Sequence, residues 1–380
     1  MLLKPRSCAP GIVARMSPPA ITLEVLPAGF GDCLLVSCPV GRSTWRMLVD
    51  TGPDETYPAL RHRLLQIPQD VGGKRHIDLF VVSHIDHDHI GGARLLLSDE
   101  MLNLRFGDIW FNAPPRPSLR GAAEGQSLAD ILGGADKALP WNQAWSGKPV
   151  CTPAEGGGVE LTGPGLPKVT LLSPTPDRLS DLYKVWAVEL ERLRRKERDL
   201  IGAERPSTRG AAPTIEELAA RVTPTDKAVP NGSSIALLLE HQGASVLLGA
   251  DAFPTVLVPA LNALAKRRGH AGPMPVDGVK LSHHGSRANV TQELLKAVDA
   301  KHFVFSTNNS YFRHPNAEAV ARVIVAGRKP TLWFNYDTPF NRQWGAAELT
   351  ARYGHAARYP ESGDAGIKLE LPAQRKARAR

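Results

Sequence analysis

Cysteine is scarce in this chain of 380 residues. Cys8, Cys33, Cys38 and Cys151 are the only four, and no two stand at CxxC spacing. A disulfide scaffold and a zinc knuckle are therefore both excluded as organising principles. Long apolar runs are missing too: no window approaches the roughly 20 residues of a membrane span. The first twenty residues, interrupted by Pro10, Pro18 and Pro19, hold no signal-peptide core. The expectation is a protein without a membrane anchor, working in the cytoplasm.

What the chain does have is 42% hydrophobic content, enough to bury a core unaided. Lys and Arg number 46 against 38 Asp and Glu, a formal charge of +8, which favours an anionic partner such as nucleic acid. Much of the excess lies at the ends, in Lys4, Arg6 and Arg15 and in the run Arg375, Lys376, Arg378 and Arg380. Residues 1–20 accordingly read as a flexible arm and residues 371–380 as a basic disordered tail.

Between them, from Ile21, short apolar segments alternate with Gly and Pro in the manner of strands: Ile21–Leu26, Cys33–Ser37, Trp45–Val49 and Ile77–Ser83. Residues 114–165 are rich in Pro and Gly and read as loop. A strand over Val169–Leu172 and a charged helix over Asp181–Leu200 follow, the helix grouping Leu182, Val185, Val188, Leu190 and Leu193 on one side. Thr214 with Glu217 three residues later forms a capping-box pattern for a short helix. Further strands are expected at Ser234–Glu240, Ser245–Leu248, Val279–Leu281, Phe303–Ser306 and Thr331–Phe334. Helices lie between them at Pro254–Arg268, Gln292–Val298 and Ala317–Val325. Two strand-rich halves with outer helices predict an α/β protein, an αββα four-layer sandwich spanning residues 21–370, with a loop and helical insertion at about 114–230.

Chemistry concentrates in the run His84-Ile85-Asp86-His87-Asp88-His89-Ile90-Gly91-Gly92. Imidazoles and carboxylates at the end of an apolar strand are expensive to bury unless a positive charge neutralises them, and a divalent cation does that well. Alternation puts His84, Asp86 and Asp88 on one face and turns His87 away, while His89 swings inward towards the glycines. Gly91 and Gly92 let the backbone pass close to a ligand or metal. Near the end of the chain, Trp333, Phe334, Tyr336 and Trp344 cluster, reading as core packing before base stacking.

This run resembles the HxHxDHxGG signature of the metallo-β-lactamase fold, with Asp86 replacing the second histidine. The variant is similar to the nuclease-type domain of the ComEC competence family and its stand-alone relatives. Six further segments resemble that family in the same order: Val25–Cys33, Leu48–Gly52, Asn231–Ile235, Leu247–Ala252, Lys280–Ser286 and Arg313–Pro315. The resemblance implies one or two divalent metal ions, Mn²⁺, Zn²⁺ or Mg²⁺. One would take His84 and Asp86; the other would take Asp88, His89 and one of His283 and His284, with His283 favoured; Asp251 would bridge them. Asp50 would orient a ligand histidine. His284 would then contact phosphate, and His314 would contact or protonate a leaving group. Asn231, Ser234 and Ser286 would give hydrogen bonds to phosphate.

Because Asp86 and the Asn231–Ser234 segment stand where the wider fold has histidines, the first position is oxygen-rich, which suits Mn²⁺ or Mg²⁺. The implied activity is a phosphodiesterase or nuclease on DNA or RNA, in which water acidified by the metal attacks, with Asp88, His284 and His314 in the catalytic set. Two alternatives remain open: hydrolysis of a small ester, lactone or thioester on the same fold, and a non-catalytic subunit of a bacterial defence or competence assembly.

Overall fold

The structure, a computed structural model, describes residues 19–114, 124–134, 139–154, 157–196, 213–361 and 366–374. The expected N-terminal arm through residue 18, the basic tail from residue 375 and part of the predicted insertion lie outside the described residues. Among the described residues the strands run in chain order as β1 (Pro19–Val25), β2 (Leu34–Val40), β3 (Ser43–Val49), β4 (Arg75–Val81), β5 (Leu104–Trp110), β6 (Val159–Leu161), β7 (Lys168–Ser173), β8 (Ala236–His241), β9 (Ala244–Leu248), β10 (Met274–Pro275), β11 (Gly278–Lys280), β12 (Val298–Asp299), β13 (His302–Phe305), β14 (Thr331–Phe334), β15 (Ala356–Arg358) and β16 (Ile367–Pro372).

Two sheets dominate, one ordered β16-β1-β2-β3-β4-β5 and the other β15-β14-β13-β11-β9-β8-β7-β6. Alternation along the strands decides the layers. In the first sheet Leu34, Val36, Met47, Val49, Leu79 and Val81 face inward, where they meet Val169, Leu171, Leu237, Leu239, Val246 and Leu248 of the second. The intervening Leu35, Leu48 and Phe80 face outward beneath helical segments that include Leu60, Leu64, Leu96, Leu182 and Trp186. On the far side Leu238 and Leu247 are covered by Leu257, Leu261, Val320 and Val323. Three apolar layers between four structural layers make the expected αββα sandwich. At about 25 cal/mol per Å² of apolar surface, burial on this scale supplies the main driving force for folding.

Several expectations shift. Pro19 and Ala20 belong to β1, and Leu371 and Pro372 to β16, which pairs antiparallel with β1. The domain thus claims both edges of the predicted arm and tail, because Leu369 and Leu371 are apolar at alternate positions and fill the inter-sheet core. The segment read as loop from residue 114 contains a helix at Glu124–Gly133, with Leu128, Ala129 and Leu132 buried. Nor is the region to 230 all insertion, since β7 pairs with β8 inside the second sheet. The charged helix spans Pro176–Lys196; Leu182 and Trp186 are buried but Val188 is exposed, so its apolar face is narrower than its leucines and valines suggest. Leu190 and Leu193 are not among the side chains described.

The capping box at Thr214 is formed: its Oγ1 accepts from Glu217 N, and Glu217 Oε2 accepts from Thr214 N. Phe334 and Trp344 of the late aromatic group are core residues, and Tyr336 Oη accepts a hydrogen bond from Gly29 N.

Parallel pairing of β3 with β4, and of β9, β11 and β13, brings the carboxyl ends of these strands to one edge of the sandwich. The antiparallel β8 starts from the same edge. Asp50, His84, Asp251, His283, His314 and the segment before β8 all follow or precede those strand ends, so the topology gathers them before any side-chain contact is considered.

Candidate metal centre

After β4 the chain makes one turn of helix at His87–Ile90, started by Asp86 in extended conformation. His87 leaves the cluster for the surface, where its Nε2 lies 3.4 Å from Asp54 and 3.6 Å from Glu55. Gly91 and Gly92 are helical rather than left-handed, so their role is not the sharp bend that paired glycines suggest. A Cβ on Gly91 would lie 2.7 Å from the backbone N of Asp54, and one on Gly92 3.1 Å from the Thr51 carbonyl oxygen. Bare backbone is needed there for the His/Asp run to pack on the Thr51–Asp54 loop. Gly31 does the same on the other side, since its Cβ would sit 2.0 Å from the Asp88 carbonyl oxygen.

The side chains form two adjoining groups that share Asp251. In one, His84 Nε2 stands 3.7 Å from Asp86 Oδ2 and 3.9 Å from Asp251 Oδ2, and His283 Nε2 is 3.6 Å from that same oxygen. In the other, His284 Nε2 is 3.1 Å from Asp88 Oδ2 and 3.2 Å from His89 Nε2, while Asp251 Oδ1 is 3.3 Å from His89 Nε2 and 3.8 Å from His284 Nε2. The geometry therefore gives His284, not the favoured His283, the place beside Asp88 and His89. The reason is local: successive left-handed residues, φ 50° at His283 and 53° at His284, send the two rings to opposite sides of Asp251. His283 returns an imidazole to the group that the sequence pattern had left with His84 alone.

Each of the four histidines is tied at Nδ1 and presents Nε2 to the cluster. His89 Nδ1 is 2.8 Å from Asp50 Oδ2, and His84 Nδ1 is 3.0 Å from Ser83 Oγ, which itself donates to Asp50. His284 Nδ1 donates to the Ser306 carbonyl at 3.0 Å, and His283 Nδ1 lies 3.2 Å from Asp226 Oδ2. Asp50 thus lies against His89, one of the expected ligand histidines. Outer partners of this kind fix the tautomer of metal-binding imidazoles.

Electrostatics reinforce the picture. Burial would lower the His89 pKa, but the Asp251, Asp88 and Asp50 carboxylates push it well above its ordinary value. Burial likewise opposes ionisation of Asp88, yet His89 and His284 bring it down to about 2. His283 is raised to about 9 by Asp251 and Asp226 against the effect of burial. A site so crowded with carboxylates calls for positive charge at its centre. His84 Nε2 and Asp251 Oδ1 are buried without a hydrogen-bond partner, at a place where such atoms are normally satisfied. Nitrogen and oxygen donors in this number, with ligand atoms of His84, His89 and Asp251 all within 4.8 Å of one another, fit a divalent cation. His84, Asp86, His283 and Asp251 would hold one, and Asp88, His89, His284 and Asp251 a second.

The remaining predicted residues separate. Ser234 Oγ is buried and unpartnered, free to donate. Asn231 Nδ2 donates to Asp226 at 2.8 Å, and its Oδ1 is buried without a partner. Ser286 Oγ accepts from Ala288 N within its own turn. His314 packs 5.0 Å from the His283 ring. Burial, then the neighbouring His283 and His284, hold His314 well below its ordinary pKa.

Sequence reasoning missed three partners. Asp226 gathers Asn231, His283 and Asn289. Asp32 is buried against Lys280 and lies 3.2 Å from His284 Nδ1. Asn289 Oδ1 is 3.1 Å from His283 Nδ1. Lys280 in the Lys280–Ser286 segment and Asp32 in the Val25–Cys33 segment carried the signal for the second, but their pairing needs the fold.

Residues 27–138 match the family model described as the metallo-beta-lactamase superfamily. The chain is 20% identical over 336 residues to ComE operon protein 3 of Bacillus subtilis, covering 83% of this chain and 33% of that protein; it spans about a third of that relative's length. Similar solved structures include the metallo-beta-lactamase fold protein YhfI from Bacillus subtilis, at TM-score 0.41 and 11% identity over 92% of this chain and 98% of that one. Zinc-bound PqqB from Methylobacterium extorquens aligns at TM-score 0.42 and 10% identity, over 92% and 100%. A mutant of the CmlA beta-hydroxylase aligns at TM-score 0.42 and 14% identity, over 93% and 54%. Among the described residues no helix is long and apolar enough to cross a membrane.

Proposed function

We propose that this chain, whose residues 27–138 match the metallo-beta-lactamase superfamily model, is a metal-dependent phosphodiesterase acting on nucleic acid. The observation that carries the reading is the pair of ligand groups joined by Asp251, with every histidine locked Nε2-inward. Divalent cations at such a centre, Mn²⁺ or Zn²⁺, would acidify water and offset charge on a phosphoryl group. The protein's own residues do the remaining work. Asp50, Ser83, Asp226 and the Ser306 carbonyl hold the imidazoles, so no rotamer has to be ordered during turnover. Ser234 Oγ, buried and unpartnered, would donate to a phosphoryl oxygen, and His314 would share a hydrogen bond with the leaving oxygen. The excess of Lys and Arg over the whole chain favours a polyanionic substrate.

The test is cleavage of single-stranded DNA, duplex DNA and RNA by purified protein with Mn²⁺, Mg²⁺ or Zn²⁺, beside Asp88→Ala. Metal-dependent cleavage that Asp88→Ala abolishes is the expected result. Equal cleavage by both proteins overturns the reading, and turnover confined to an ester, lactone or thioester assigns the centre to small-molecule hydrolysis instead.

A further inference from the structure

Beside His314 the structure has an aromatic wall that the proposed chemistry leaves unused. Phe30, from the loop after β1, and Tyr311 and Phe312, from the loop after β13, meet with ring centroids 4.9 Å apart for Phe30 and Tyr311, 5.9 Å for Phe30 and Phe312, and 4.2 Å for Tyr311 and Phe312. Phe312 is 40% exposed and is the only aromatic among the exposed large hydrophobic side chains of the described residues. Its ring lies 5.9 Å from that of His314 at an interplanar angle of 24°, and His314 in turn stands 5.0 Å from His283. The wall is continuous with the candidate centre through two ring-to-ring steps.

The wall is also built in advance. Asn308 N donates to the Gly29 carbonyl at 2.9 Å, joining the two loops that carry the rings, and Gly29 N donates to Tyr336 Oη at 2.7 Å, tying the first loop to the segment after β14. A surface already ordered loses little entropy when a ligand settles on it. An exposed phenylalanine face gains most from a flat, π-rich partner, and a nucleobase next to the reacting phosphate is such a partner.

Resting on the phosphodiesterase reading, we infer that Phe312, backed by Phe30 and Tyr311, is a stacking platform for an unpaired base adjoining the scissile phosphate, which makes single-stranded nucleic acid the preferred substrate. In a duplex the base faces are occupied by their neighbours, and stacking on Phe312 first requires unstacking. Specificity would follow from the fold, because the same β13 loop carries both the platform and His314.

The experiment compares kcat/KM of wild type, Phe312→Ala, Phe312→Leu and Phe312→Tyr with Mn²⁺. The substrates are a short single-stranded oligodeoxynucleotide, its duplex, and the same strand with one abasic position stepped along it. Phe312→Ala and Phe312→Leu should lose between about five- and a hundredfold on the single strand, the range that one base–aromatic stack supports. Phe312→Tyr, which keeps an aromatic face, should recover most of what Phe312→Leu loses, and the abasic position that slows wild type most should leave Phe312→Ala unaffected. Phe312→Leu equal to wild type, or a wild type that prefers duplex, overturns the platform while leaving the phosphodiesterase reading intact. A wild type that cleaves no nucleic acid overturns that reading itself.

Discussion

Replacing Lys280 by methionine tests how the second ligand group is supported from behind. Lys280 and Asp32 are both essentially solvent-free, at 0% and 1% exposure, and each is the other's ion-pair partner. Burial alone would raise the Asp32 pKa; Lys280 and then His284 hold it below the carboxylate range. Methionine fills much of the lysine stem but leaves an uncompensated carboxylate behind His284. Breaking a buried pair from one side costs about 3–5 kcal/mol, which at roughly 2 °C per kcal/mol for a large domain is a fall in Tm of about 6–10 °C.

The sign of the pH effect can be worked out. In wild type a depressed Asp32 pKa contributes stability above the unfolded pKa, lost only as pH falls through the folded value. In Lys280→Met burial would lift the folded pKa above the unfolded one, so the deficit should be full at neutral pH and shrink on acidification below about pH 5. The assay is thermal unfolding by circular dichroism in chelator, which keeps metal linkage out of the comparison. Asp32→Asn in the Lys280→Met background should recover most of the loss. A single variant within about 1 kcal/mol of wild type, the size of an exposed pair, would refute the reasoning.

Two other changes bear on the site more directly. Gly31→Ala places a methyl against the Asp88 carbonyl oxygen and should displace the His/Asp run, lowering both Tm and bound metal; calorimetry and elemental analysis equal to wild type would contradict that packing. Asp226→Ala removes the carboxylate that shares His283 Nδ1 with Asn289 Oδ1 and should weaken metal binding or activity about 10–100-fold, read by isothermal titration, whereas unchanged affinity would make Asp226 a loop residue only.

The sandwich was legible because its strands obey a period of two. Leu34 to Val36 and Leu237 to Leu239 alternate between the inter-sheet core and the outer faces as apolar patterning requires. β5 and β16 escaped because their burial comes from pairing: Leu104–Trp110 reads as a mixed polar segment until it lies beside β4, and Ile367–Pro372 until it lies beside β1. At the site, the residue types and their order pointed to His84, Asp86, Asp88, His89 and Asp251. Which of His283 and His284 faces Asp88 depended on two left-handed backbone angles that composition does not encode. Asp226 sits in a polar stretch with no periodicity, and Phe30 is far along the chain from Tyr311 and Phe312, so only the fold brings either set together.

Metal stoichiometry of Asp251→Ala tests the central claim most directly. Asp251 is 2% exposed and turns one carboxylate oxygen to each ligand group. Equilibrium dialysis against Mn²⁺ or Zn²⁺ followed by elemental analysis should find up to two ions bound to wild type. Asp251→Ala should lose tight binding at both positions, and nucleic-acid cleavage with it. An alanine variant that retains the wild-type metal content would contradict a centre organised around this shared carboxylate.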